Sequence, residues 1–121
     1  MITDAIQDAL EAIIPNTFTT IGDEEIETPF CIHEERDEPL YLKNGIVAYT
    51  WGVEVAIIDD SPDDCEELAA SGVAAITALA HTTSHDTEIG AVTYLGIDPG
   101  FDQQTKEYIR ILNFSIITSN R

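Results

Sequence analysis

Cations are scarce in this chain. Five of its 121 residues are Lys or Arg, against 23 Asp and Glu, which leaves a formal charge of −18. Five scattered cations cannot offset a phosphate backbone, so a basic nucleic-acid-binding face is excluded, and adhesion to an anionic membrane surface with it. Long apolar runs are missing too. Stretches such as Val55-Ala56-Ile57-Ile58 last a few residues, where a membrane-spanning helix needs about 20. The start, Met1-Ile2-Thr3-Asp4-Ala5, lacks the basic-then-apolar pattern of a secretory signal. The only cysteines, Cys31 and Cys65, form neither a CxxC motif nor a disulfide framework. They read as buried thiols of a cytosolic protein, and a bridge stays open if the strand and helix that carry them meet.

What is present is ordinary globular material. Hydrophobic residues make up 44% of the chain and charged residues 23%, which separates it from an acidic disordered tail. The length suits a single domain over residues 1–121.

Residues 3–14 are expected to be helical. Thr3 can cap the helix, Ile2, Ile6, Ala9, Leu10, Ile13 and Ile14 form one stripe, and Pro15-Asn16 stops it. Residues 17–21 are β-prone but short, and Gly22-Asp23-Glu24-Glu25 reads as a turn. A strand is expected over Glu27–Glu34, with Phe30 and Ile32 on one face and Cys31 and His33 on the other. Residues 35–45 read as a polar connection ending in the hairpin signal Asn44-Gly45. The clearest strand follows, with Val47, Tyr49, Trp51, Val53, Val55 and Ile57 at alternate positions. Ser61 as N-cap, Pro62 at the first helical position and acids in the first turn then open a helix running to about His81. Two alternating strands close the chain, at 88–97 and about 105–119, with Asp98-Pro99-Gly100-Phe101-Asp102 as the turn between them. The expected fold is α+β: an antiparallel sheet of four to five strands with two helices on one face, in the order α-β-β-α-β-β.

No catalytic string is present. The seven glycines form neither GxGxxG nor GxxxxGK[ST], no serine sits in GxSxG, and His81 with His85 lacks the HExxH context. No cofactor or metal site is therefore assigned. Asp59, Asp60, Asp63, Asp64, Glu66 and Glu67 could hold a hard cation, but their spacing is not that of an EF-hand, and capping of a helix start accounts for them. Tyr49, Trp51 and Tyr94 could stack a ligand, or simply pack the core. A second acidic group, notably Glu34, Glu35, Asp37 and Glu38, reads as a solvated face that a cationic partner could recognise. The final strand is apolar on both faces, and two helices cover one face of a single sheet. That points to a homo-oligomer, with Tyr108, Arg110, Leu112, Phe114 and Ile116 as the candidate interface.

The order of elements resembles a known family. A short N-terminal helix, an extended segment around Pro29-Phe30-Cys31-Ile32, a long strand Val47–Ile57 running into a capped helix Ser61–Ala80, and two closing strands around Asp98-Pro99-Gly100 are similar to the tail-completion, or tail-terminator, proteins of long-tailed phages and prophages. These are also called head–tail joining proteins. The resemblance spans nearly the whole chain and rests on order, size and hydrophobic pattern. It implies a non-enzymatic virion protein, located in the tail after assembly in the bacterial cytoplasm. It implies a ring oligomer, often a hexamer, whose partners are further copies, the tail tube and head-connector proteins, with no direct nucleic-acid binding. Two other readings stay open on the residues alone: an acidic DNA mimic or inhibitor of a basic protein, and a small ligand-binding domain or enzyme.

Placing the acids sharpens the charge. Eight of the 23 fall in residues 23–38 and six in residues 59–67, whereas Lys106, Arg110 and Arg121 lie in the last 16 residues. A head-to-tail ring could set the early acidic loops against the less acidic final strand.

Overall fold

A computed structural model describes residues 1–19, 26–42 and 45–120, without the side chains of Leu42, Ile46 and Val47. The turn expected at Gly22–Glu25, the Lys43-Asn44 part of the hairpin signal and Arg121 lie outside the described residues. Helix α1 covers Ile2–Glu11, strand β1 Thr17–Phe18, β2 Phe30–Leu42 and β3 Gly45–Asp59. Helix α2 covers Pro62–Thr77, and β4 (Thr83–Ser84), β5 (Thr87–Asp102) and β6 (Glu107–Thr118) follow.

This corrects the expected fold. The sheet has six strands in the order β1-β2-β3-β6-β5-β4. It is mixed, because β1 runs parallel to β2 through Thr17–Cys31 and Phe18–Ile32, and it curls into a half-barrel. Two further boundaries move. The polar run after Glu34 continues β2 to Leu42, paired residue by residue with β3. The supposed turn at Asp98–Asp102 stays in β5, paired with Ile111 to Glu107 of β6. The reversal comes later, where Asp102 accepts the backbone N–H of Gln104 on its carboxylate (2.9 Å) and Lys106 takes a positive φ of 60°. An Asp that captures the amide two residues on is a local turn signal.

The core follows strand parity. Trp51, Val53, Val55 and Ile57 of β3 are buried, as are Leu112, Phe114 and Ile116 of β6. Ile2, Ala5, Ile6 and Leu10 of α1 and Cys65, Ala69 and Ile76 of α2 join them in one cluster. Thr3 lies inside α1 rather than capping it. At α2 the expected cap forms: Ser61 Oγ accepts from the Asp64 amide (3.3 Å), with Pro62 next. The helix stops at Thr77, and His81 sits beyond it with φ of 60°.

Gly72 lets α2 approach the sheet. A Cβ there would meet Leu112 Cδ1 at 3.1 Å and Ile57 Cδ1 at 3.3 Å. Both are flexible side-chain ends. The roughly 1 kcal/mol that Ala gains over Gly in a helix offsets a small shift, so Gly72→Ala should stay within about 1 kcal/mol of the parent. Gly72→Leu has no room and should cost about 1–3 kcal/mol, read by urea denaturation. Equal stability of the two variants would contradict this close packing.

Candidate assembly surface

The acidic residues of β2 do not form one surface. Glu34 and Glu38 share the outer sheet face with Arg36, which donates from Nε to Glu34 Oε1 at 2.9 Å. The hydrogen bond to Glu34 and the charge of that carboxylate raise the guanidinium pKa further. Glu35 and Asp37 project to the opposite face, beside Val53 and Trp51 in the ladder. There the Glu35 side chain is 4% exposed and its Oε1 meets His33 Nδ1. His33 is itself buried, and its Nε2 donates to Gln7 Oε1 at 2.6 Å. The Gln7 amide nitrogen donates in turn to Glu11 Oε1 (2.5 Å) and to the Thr17 carbonyl (2.9 Å). With that nitrogen committed, the amide oxygen is what faces the histidine. This charge-assisted network ties α1 to β2 and β1. Two of the four acids expected at an interaction surface therefore face inwards.

The β6 residues expected at an oligomer interface fare similarly. Leu112, Phe114 and Ile116 are at most 1% exposed and belong to the chain's own core. Tyr108 and Arg110 are half-buried, and Arg110 pairs through Nε with Glu66 Oε1 of α2. Parity correctly separates the two faces of this strand, but the helices take the face expected to meet a partner. Its other face carries Ile109, Ile111, Asn113, Ser115 and Ile117, all partly or fully accessible.

The signal that sequence reasoning missed lies at the sheet margins. Eight large hydrophobic residues are exposed among the described residues, and six sit on the two outer long strands. Tyr94, Leu95, Ile97 and Phe101 are on β5, and Leu40 and Tyr41 are on β2. Tyr94 rests on Phe114 (5.5 Å between ring centres) and Phe101 on Tyr108 (4.8 Å). Tyr49 lies 6.5 Å from Trp51. Trp51 is buried in the core, and Tyr49, Trp51 and Tyr94 line neither of two open surface cavities.

These two cavities have a mixed polar and apolar lining. A trough of about 300 Å³ runs over Gly52 on the outer face, between Arg36, Glu54, Leu95 and Asn113. Another of about 530 Å³, by Pro29 and the start of α2, is lined by Asp59, Asp60, Asp64 and Glu67. Burial pushes the Asp59 carboxyl above its usual range. The Asp60 amide bonded to it pulls the other way, and the charges of Asp60 and Asp64 add to the rise. Among the described residues no three His, Cys, Asp or Glu side chains are placed to hold a metal ion. His81 and His85 are not on one helix face; His85 Nε2 instead meets Asp8 Oδ2 at 2.5 Å. No helix among the described residues is long and apolar enough to cross a membrane.

Both cysteines are free and buried. Burial pushes the Cys31 thiol up to about 12, against a hydrogen bond from Thr17 that lowers it, and burial raises Cys65 as well. The thiolate is the reactive form. Neither thiol should react with a maleimide at neutral pH in the folded chain, and both should react once urea unfolds it. Because the folded pKa of Cys31 exceeds its ordinary value of 9.0, its contribution to stability is complete below about pH 9 and is lost as pH rises towards 12. Rapid labelling of the native chain at pH 7 would contradict this burial.

The architecture is that of a small α+β half-barrel. No protein-family model matches the chain, and no curated protein matches it by sequence. Among solved structures, the chain superposes on a chain of the virion of a native gene transfer agent (GTA) particle. The TM-score is 0.78 at 12% identity, over 97% of this chain and 93% of that one. At that identity the likeness shows a shared fold.

Proposed function

We propose that the chain is a structural subunit of a phage-like particle and, more finely, a ring-forming tail-terminator or head–tail joining subunit of a long-tailed phage or prophage. The observation that carries this reading is the two-way coverage of the virion-chain superposition, 97% and 93%: each fold accounts for nearly all of the other. The order of elements in the sequence points the same way. The chain works without catalysis, by contact with further copies of itself, the tail tube and head-connector proteins, and it ends in the virion tail after assembly in the host cytoplasm. Its charge of −18 repels DNA, so nucleic acid can pass such a ring without adhering to it.

The test is genetic. Deleting the gene from the phage or prophage that carries it should leave capsids and tails unjoined in negative-stain images and abolish infectious or transferring particles. In wild-type particles the chain should be found by mass spectrometry. Normal titre from the deletion strain, with the chain missing from purified particles, would overturn the reading.

A second reading, an acidic inhibitor of a basic protein, draws on the carboxylates of Glu34, Glu38 and Glu54 on the outer face, which are exposed. The two readings differ in the sign of their salt dependence. Copies that each carry −18 assemble better as salt screens their repulsion, whereas binding to a basic partner weakens.

A further inference from the structure

We propose that copies join head to tail, with the β5 edge of one copy seated against the β2 edge of the next. This rests on the reading of the chain as a ring subunit. In β5, among the described residues, only Thr87 and Glu88 are covered, by the two residues of β4. In β2, among the described residues, only Cys31 and Ile32 are covered, by the two residues of β1. The rest of each long strand forms a margin of the sheet.

The directions of the two margins fit each other. β2 is antiparallel to β3, β3 to β6, and β6 to β5, so β2 and β5 run in opposite senses. A copy related by simple rotation therefore brings β5 antiparallel to the neighbour's β2, which continues the sheet. The two margins are different surfaces, so the contact is heterologous, the kind that generates a ring when its rotation closes.

Apolar exposure fits as well. The two margins hold six of the eight exposed large hydrophobic residues, and head-to-tail contact covers Tyr94, Leu95, Ile97 and Phe101 together with Leu40 and Tyr41. A twofold contact of β5 with β5 leaves Leu40 and Tyr41 in water. A twofold contact of β2 with β2 brings the outward Glu34 and Glu38 against the same two acids, whereas β5 from Ile89 to Asp102 carries only Asp98 and Asp102. Pro39 and Pro99 each lack an amide proton, and both margins carry register shifts. The ladder between copies is therefore short, and the apolar side chains supply most of the contact.

Two experiments on the full chain test this. In the first, the mass of the wild type and of a Leu95→Asp/Ile97→Asp variant is measured by light scattering across concentration and salt. Ala74→Asp on the exposed side of α2 is the control. The wild type and the control should form the ring, and the β5 variant should lose it while keeping its unfolding temperature, since both β5 side chains lie substantially in solvent. In the second, chains carrying only Leu95→Cys or only Glu38→Cys, both on the outer face, are treated with a short bis-maleimide, the native thiols being buried. Cross-linked dimers should form in the mixture and in neither variant alone. A wild-type ring that survives the β5 variant, or dimers from Leu95→Cys alone, would overturn the interface and leave the ring reading standing. A wild type that is monomeric under every condition would overturn both.

Discussion

His33→Ala should cost about 3–5 kcal/mol, the penalty for leaving the buried carboxylate of Glu35 without its closest partner. The parent arrangement leaves the Glu35 side chain 4% exposed and the His33 side chain fully buried. With the ring removed, the carboxylate keeps its burial and loses its closest partner, and Gln7 Oε1 loses its donor. In a chain of this size the change corresponds to a fall in Tm on the order of 15 °C. The double variant His33→Leu/Glu35→Leu should recover much of the loss, because apolar replacement of a whole buried pair is often neutral. Half-buried Gln7 can then turn its amide to water. Thermal unfolding of the parent and both variants decides. A single variant within about 1 kcal/mol of the parent would mean that this network does not hold α1 on the sheet.

Trp51→Ala should be comparably severe. The indole sits in the middle of the core, 1% exposed, and its Nε1–H donates to Thr118 Oγ1 at 2.9 Å, 67 residues away. Truncating a large buried aromatic costs about 3–5 kcal/mol. Trp51→Phe separates the two contributions. It keeps most of the packing but leaves the buried Thr118 hydroxyl without the indole donor, a loss of about 1–3 kcal/mol. Denaturant midpoints should fall in the order parent, Phe, Ala. If Phe were as damaging as Ala, the hydrogen bond rather than ring volume would dominate.

Neither position is marked by any motif, yet the two differ in how far the sequence reveals them. The parity of β3 is written in alternation from Tyr49 to Ile57, so the amino-acid pattern by itself marks Trp51 as a core residue. Ser61-Pro62 likewise marks the start of α2, because capping is a local interaction. Local signals fail where long-range pairing overrides composition. Glu35-Arg36-Asp37-Glu38-Pro39 has the composition of a loop, yet it lies in β2 because β3 supplies a continuous ladder and His33 partners the buried carboxylate of Glu35. Asp98-Pro99-Gly100 has the composition of a turn, yet β6 holds it in a strand. The two-residue strands β1 and β4 are too short to carry a period at all.

The candidate surface illustrates the same division. Alternation shows that Leu112, Phe114 and Ile116 share one side of β6, but which side the helices cover depends on tertiary packing. The margins of the sheet depend on strand order, which no local pattern encodes. Tyr94, Leu95 and Ile97 therefore look like ordinary strand residues until β5 is seen to lie outermost but for a two-residue neighbour. The charge also changes meaning. Part of the acid on β2 is internal, Glu66 holds Arg110, and Asp63 and Asp64 sit in the first turn of α2. What remains on the outside sets a repulsion between copies that an apolar interface has to outweigh.

The central claim, that this chain is a ring-forming subunit, is tested most directly by native mass spectrometry of the purified protein over a series of salt concentrations. The account predicts one closed stoichiometry greater than two, with a population that grows as salt screens the charge of −18. A monomer at every protein concentration and salt level, or an assembly that dissolves as salt is added, would contradict it.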